Sequence, residues 1–279
     1  MLIKCWGSRG SIPVSGSEFM KYGGDTTCLE IRAKSGDIII IDAGTGIRRL
    51  GNRLSAEGRH KYHFIITHAH WDHLMGFPFF KPLYDDRTEI YMHRSPFPKK
   101  FMENMISKVM TPPNFPVRYS ELKAGLLYKN GRPDSFRIGS ITVIPIPLSH
   151  PNKGMGYKFI EDGKIFVFLT DNELGYIHPG GASYDDYCNF ASSADLLFHD
   201  AEYTAEEYES RILWGHSIYT EAVDLAIKAG VKRLGLFHHN QDRTDKEIDE
   251  IVDKCNMTAE DKGSSLECFA VGSGMTFGL

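Results

Sequence analysis

Long apolar runs are missing from this chain of 279 residues; the longest is "IFVFL", Ile165 to Leu169. A membrane-spanning helix needs about 20 such residues, so no membrane association is expected. The opening "MLIKCWGSRG" has no apolar stretch of the signal-peptide kind. Paired cysteines are missing too. Cys5, Cys28, Cys188, Cys255 and Cys268 are odd in number and scattered, with no C-x-x-C among them. They read as reduced thiols in a cytoplasmic protein rather than as a disulfide framework. A basic excess is also absent: 32 Lys and Arg face 36 Asp and Glu, for a net charge of −4. Proteins that grip a long polyanion usually carry a strong positive excess, so extended nucleic acid is not the expected partner. No low-complexity linker divides the chain, which leaves residues 1–279 as one domain.

With 42% hydrophobic residues, the chain can bury a sizeable core. Strands are expected at "LEIRA" near Leu29, "DIIIIDAG", "YHFIIT", "ITVIPI", "GYKFIE", "KIFVFLT", "ADLLFHD" and "VKRLGLFHH". Helices are expected at "TGIRRLGNRLSAEG", stopped by Gly58, and from Ser217 to Ala229, closed by Gly230, with Ser217 as the better cap. A last helix starts at Thr244, where Thr244 and Glu247 have capping-box spacing, and Ile248, Ile251, Val252 and Cys255 share one face. Buried strands alternate with helices in both halves, so two layers of strand with helices outside would satisfy the pattern. Each polar cluster directly follows a strand: "THAHWDH" after "HFII", "SHP" after "VIPIPL", "TDN" after "VFL", "HDAEYT" after "LLF" and "HHN" after "LGLF". Five strand ends meeting at one edge would build one site, where α/β proteins commonly put chemistry.

The densest of these clusters holds His68, His70, Asp72 and His73 within six positions. Burying imidazole without a partner is unfavourable, so such crowding asks for a ligand. His68 and His70, two apart on an extended loop, can chelate one ion. Four donors are too many for one ion from one loop, and the pattern fits two adjacent metals. Imidazole nitrogen with carboxylate oxygen suits zinc, manganese or iron. His150, Asp171 and either His238 or His239 stand at other strand ends, and a carboxylate such as Asp171 can bridge two ions. His60, His63, His93 and His178 are expected to be ordinary core or surface residues.

"THAHWDH", followed in order by His150, Asp171 and a late histidine, resembles the metallo-β-lactamase fold superfamily. "GSRGSIP", "GGDTTCLEI", "IDAGTGIRRLG" and "LFHHNQDRTD" extend the likeness over nearly the whole chain. The resemblance implies an α/β fold, a four-layer αββα sandwich with a dinuclear site at one edge of its sheets. It implies one divalent ion on His68, His70 and His150, a second on Asp72, His73 and His238, and Asp171 shared. It favours His238 over His239, because the phosphodiesterase-type pattern puts the ligand first in that pair.

Within the superfamily, an oxygen reductase would carry Glu at position 70 and a zinc β-lactamase Cys at position 171. Glyoxalase-type thiolesterases tend toward a "GHTPGH"-like segment where this chain has "LSHPNKG". The ligand set instead resembles the phosphodiesterase branch, which includes ribonuclease Z and the phosphoribosyl cyclic phosphodiesterase. "LLFHDAEYT" resembles the branch's His-Glu-Ala-Thr segment with Asp200 in place of Glu, and "WGHS" resembles its Gly-His-Ser segment. The implied catalytic residues are Asp72 at the metals, His216 as general acid and Asp200 holding its tautomer. The expected reaction is in-line attack of an activated water on phosphorus, with His216 protonating the departing alkoxide.

Asp42 in "IDAGTG" reads either as a hydrogen-bond partner of a ligand histidine or as a turn residue. "GSRGS", Gly7 to Ser11, reads either as a phosphate-binding loop or as a plain turn. Ribonuclease Z carries a basic arm between the third-motif histidine and the bridging aspartate; only 20 residues separate His150 from Asp171 here. The aromatic, proline-rich segment 74–134 is read as a substrate-shaping insert, against the alternatives of an extra packing layer or a homodimer face. The expected function is a metal-dependent hydrolase of a small phosphodiester, such as a cyclic nucleotide or cyclic phosphoribosyl compound. The alternatives are a nuclease on RNA or single-stranded ends and a non-catalytic metal-binding protein.

Overall fold

A computed structural model describes residues 1–93, 98–129 and 134–279. The first half supplies β1 (Leu2–Gly7), β2 (Cys28–Arg32), β3 (Ile38–Ile41), α1 (Ile47–Ala56), β4 (Lys61–Ile65), β5 (Glu89–His93), α2 (Lys99–Val109) and β6 (Gly125–Tyr128). The second supplies β7 (Phe136–Ile138), β8 (Ile141–Leu148), β9 (Gly154–Glu161), β10 (Lys164–Leu169), α3 (Tyr184–Phe190), β11 (Leu196–Asp200), α4 (Ala205–Tyr208), α5 (Tyr219–Lys228), β12 (Arg233–Phe237), α6 (Asp245–Asp261), β13 (Glu267–Ala270) and β14 (Thr276–Gly278).

The strands form two sheets of matching design. One has the order β14-β1-β2-β3-β4-β5-β6 and the other β13-β12-β11-β10-β9-β8-β7. Each is antiparallel on one side and parallel on the other, changing at β3 in the first and β10 in the second. The four isoleucines of β3 show how the layers arise. Successive side chains on a strand point to opposite faces. Ile38 and Ile40 join the cluster under α1 and α2, with Ile47, Leu50, Met102 and Ile106. Ile39 and Ile41 join the cluster between the sheets, with Tyr157, Phe166, Phe168 and Phe198. On β10 the same alternation sends Val167 and Leu169 outward to α3, α5 and α6. The result is the expected αββα sandwich. Each fully buried Ile or Phe contributes roughly 1.5–3 kcal/mol, which lets the sheet edge hold a group of buried charges that costs stability.

The expected strands and helices are present, with two differences. The helix expected from Ser217 begins at Tyr219. Ser217 does not cap it, because its hydroxyl binds the Asn172 carbonyl and its N–H binds Asp200. The 74–134 segment supplies β5, α2 and β6, and Phe77, Phe80, Leu83 and Met102 are buried in the outer core of the first sheet. Residues 94–97 and 130–133 of that segment lie outside the described residues. Among the described residues, no helix is long and apolar enough to cross a membrane.

Candidate metal centre

Strand ends deliver the site. Asp42 follows β3, Asp171 follows β10 by two residues, and His238 follows β12. All three adopt left-handed backbone, with φ of 61°, 52° and 58°. Non-glycine residues rarely do so, and strained backbone concentrates at functional sites. Asp42 accepts hydrogen bonds from the Thr67 N–H at 2.7 Å, the Thr67 hydroxyl at 2.7 Å and His73 Nδ1 at 2.8 Å. It therefore partners a ligand-type histidine and shapes the turn at once. Gly44 is required beside this turn, since a Cβ there would lie 2.3 Å from the Asp72 carbonyl oxygen.

Two sets of side chains that share Asp171 converge, beside a smaller third group of Asp200, His216 and His238. The ligand atoms of His68, His70, His150 and Asp171 lie within 4.8 Å of one another, and so do those of Asp72, His73, Asp171 and His238. Asp171 belongs to both: its Oδ2 is 3.4 Å from His68 Nε2 and 3.3 Å from His238 Nε2, and its Oδ1 is 3.2 Å from His73 Nε2. Asp72 Oδ2 is 3.2 Å from both His73 Nε2 and His238 Nε2. Apart from the half-buried His70, these residues are buried. His68 Nε2 and His73 Nε2 have no hydrogen-bond partner despite the nearby carboxylates. Such orphaned buried atoms are rare and ask for an explanation. Ligand atoms crowded around two common points, with buried ring nitrogens left unpaired among them, are what divalent cations would satisfy, and N/O donors suit zinc, manganese or iron.

The surrounding bonds fix which ring nitrogen faces inward. His150 Nδ1 donates to the Gly215 carbonyl at 3.0 Å, leaving Nε2 for a ligand. His238 Nδ1 donates to Glu202 at 2.9 Å and His73 Nδ1 to Asp42. Burial and the neighbouring His68 ring lower the pKa of His70 to about 4 and push that of His150 well down. Burial also opposes charge on His73 and His238, but Asp171 and further carboxylates outweigh it and raise both. The same pairings, against burial, hold Asp72 and Asp171 well below the usual carboxylate range.

His216 adjoins both sets. Its Nδ1 donates to Asp200 Oδ2 at 2.6 Å, and its ring stacks on His238 with centroids 4.6 Å apart and lies 5.5 Å from the His150 ring. Burial opposes its protonation, yet Glu202 and Asp200 raise its pKa to about 9. Asp200 also accepts the Ser217 N–H at 3.0 Å, so one carboxylate holds both the ring and its backbone.

Two glutamates missed in the sequence complete the site. Glu202 holds His238 and accepts from Asn240 Nδ2 at 3.2 Å. Buried Glu173 accepts four hydrogen bonds, from the Tyr208 hydroxyl, the Leu213 N–H, His178 Nε2 and the Gly215 N–H, at 2.6, 2.9, 2.7 and 2.8 Å. It thereby anchors the loop that carries His216. His239 is turned away, with Nε2 donating to the Val271 carbonyl at 2.9 Å. His63 and His93 pair with each other at 2.9 Å, and His60 lies near Asp85, all apart from the two sets. In the Gly7–Ser11 loop, the Ser11 N–H donates to Asp72 at 3.1 Å and Arg9 is buried against three backbone carbonyls, so the loop supports the site's frame.

Residues 38–239 match the family model described as "Beta-lactamase superfamily domain". A ribonuclease Z of Halobacterium salinarum is 25% identical over 249 residues, covering 74% of this chain and 78% of that protein. Two solved structures share the fold. The metallo-beta-lactamase fold protein YhfI of Bacillus subtilis aligns with a TM-score of 0.72 at 16% identity, covering 99% of this chain and 98% of its own. A diphosphatase of the PhnP family aligns with a TM-score of 0.68 at 18% identity, covering 100% and 97%.

Proposed function

The chain belongs to the beta-lactamase superfamily, and from that premise we propose that it is a metal-dependent phosphodiesterase. The observation that carries this reading is Asp171, a single buried carboxylate shared by two histidine-rich sets, with the His216–Asp200 pair beside them. His68, His70 and His150 would hold one divalent ion, Asp72, His73 and His238 another, and Asp171 both. When bound, such ions supply Lewis acidity and water activated near neutral pH.

The chain's own residues do the rest. Asp72, fixed by the Ser11 N–H, sets the second set in place. His216 has Nδ1 bound to Asp200, so its Nε2 proton is the one available to the ester. As water adds to phosphorus, releasing a proton to solvent, and the P–O ester bond breaks, the His216 proton passes to the departing oxygen. The ring then recovers a proton from solvent. Residues 1–279 act as one hydrolase domain, and a small phosphodiester is the first substrate reading. A second, cleavage of RNA, is favoured by the name of the H. salinarum relative. Against it stand the net charge of −4 and the 20 residues between His150 and Asp171, which form β9 and β10.

The test is a screen of metal-loaded protein against bis(p-nitrophenyl) phosphate, 2′,3′- and 3′,5′-cyclic nucleotides and a short RNA, with a glutathione thioester as control. Diester hydrolysis without thioester turnover is expected. Efficient thioester cleavage with no diester cleavage in zinc or manganese would overturn the reading.

A further inference from the structure

The chain has three tryptophans, and two of them face solvent beside the site. Trp6 is 6% exposed, whereas Trp71 is 75% and Trp214 60% exposed. Trp71 lies between His70 and Asp72. Trp214 ends a run of three exposed apolar residues with Ile212 and Leu213, at 50% and 51%. Exposed apolar runs of this length are unfavourable unless they serve contact with something. This run is also held under strain: Leu213 has φ of 77°, a left-handed value a leucine seldom adopts. The buried Glu173 carboxylate fixes that conformation through the Leu213 and Gly215 N–H groups.

A chain of contacts joins the two segments that carry the exposed indoles. Gly215, next to Trp214, accepts from His150 Nδ1 at 3.0 Å, and His150 Nε2 is 3.1 Å from Nδ1 of His70, next to Trp71. Lys153 follows in the turn whose N–H returns to the His150 carbonyl at 3.2 Å. It is exposed and makes no ion pair among the described residues, leaving a cation at that turn. Flat aromatic faces and a free cation beside a phosphoester-cleaving centre match one ligand chemistry, a nucleobase joined to phosphate. Base–aromatic stacking needs no base-specific hydrogen bonds, and an indole has only two side-chain torsions to freeze.

We propose that Trp71 and Trp214 form an aromatic subsite that stacks the nucleobase of a nucleotide phosphodiester, with Lys153 meeting its phosphate. The proposal deepens the phosphodiesterase reading and rests on it for the reaction. A cyclic mononucleotide and an RNA end share this chemistry.

The experiment compares adenosine 2′,3′-cyclic phosphate, the dinucleotide ApA and base-free glycerol 1,2-cyclic phosphate on the full-length, metal-loaded protein. W71A and W214A should raise KM for the base-bearing esters about 5- to 150-fold, the usual worth of one stacked base. The rise should far exceed that for glycerol cyclic phosphate, and W71F and W214F should restore most of the loss. Preference between the cyclic nucleotide and ApA identifies the source of the base. A second readout does not depend on turnover: adenosine monophosphate should quench the indole fluorescence of the wild type, whereas base-free ribose 5-phosphate should not. Equal KM changes on all esters, or no quenching, would refute the subsite. A dimer that W71A or W214A dissociates, with KM ratios unchanged, would also refute it by showing a self-association face. Failure of the wild type to cleave any diester would instead refute the enzymatic reading, while the quenching would still decide the subsite.

Discussion

The His68, His70 and His150 set and the Asp72, His73 and His238 set use similar donors at similar burial, yet they are supported in opposite ways. Neutral groups support the first: the Thr67 hydroxyl lies 3.1 Å from His68 Nδ1, and the Gly215 carbonyl holds His150. Carboxylates support the second, Asp42 behind His73 and Glu202 behind His238. The pKa directions differ too: burial and the neighbouring His68 ring lower His70 and His150, whereas Asp171 and further carboxylates raise His73 and His238. A cation in the second set would sit among more carboxylates, with Asp42 and Glu202 behind its histidines. One sheet edge thus offers two positions of different local charge, with Asp171 in common.

Loss of Asp171 should have the largest effect, because it serves both positions. Asp171→Ala is expected to lower the metal content of both positions and abolish measurable diester hydrolysis. Two ions retained per chain, by elemental analysis, would count against sharing. Next in size, His216→Ala separates chemistry from metal binding. It should keep both ions and lose roughly 10²–10⁴ in rate, the usual worth of a positioned acid. The loss belongs to esters with a ribose alkoxide as leaving group and should be small for p-nitrophenolate, which departs without a proton. Equal slowing of both leaving groups would remove the acid role. Asp200→Asn should show a weaker form of the same leaving-group pattern.

Smaller effects are expected from the groups behind the ligand-type histidines. Glu202→Gln or Asp42→Asn should weaken one of the two ions by roughly 10- to 100-fold, as for other partners of ligand histidines, in competition with a chelator. The other ion should be little changed. Thr67→Val removes a hydroxyl that contacts His68 and donates to Asp42; at about 1 kcal/mol it should cost only about fivefold at either position. If Thr67→Val matches Glu202→Gln, the nature of the support does not matter.

Much of this arrangement was legible in the sequence because its signals are local. H-x-H-x-D-H is one segment, and strands such as "IIII" and "IFVFL" declare themselves by apolar content. β1 is harder to see, since Leu2 and Lys4 face outward between buried Ile3 and Cys5 and no turn signal precedes them. β13 and β14 are four and three residues long, too short for periodicity. Glu202 and Glu173 were illegible for another reason. Their roles lie in what they touch, His238 36 positions away and Gly215 42 positions away, and an acidic residue in sequence looks like solvated surface. Ser217 misled by type, since a residue well suited to capping is held elsewhere by Asn172 and Asp200.

Anomalous diffraction at the metal edge, from crystals of the zinc- or manganese-loaded protein, tests whether Asp171 is shared. The prediction is two peaks per chain, about 3.5–4 Å apart, one among His68, His70 and His150, the other among Asp72, His73 and His238, with Asp171 touching both. A single peak, or two peaks of which Asp171 reaches only one, would contradict it.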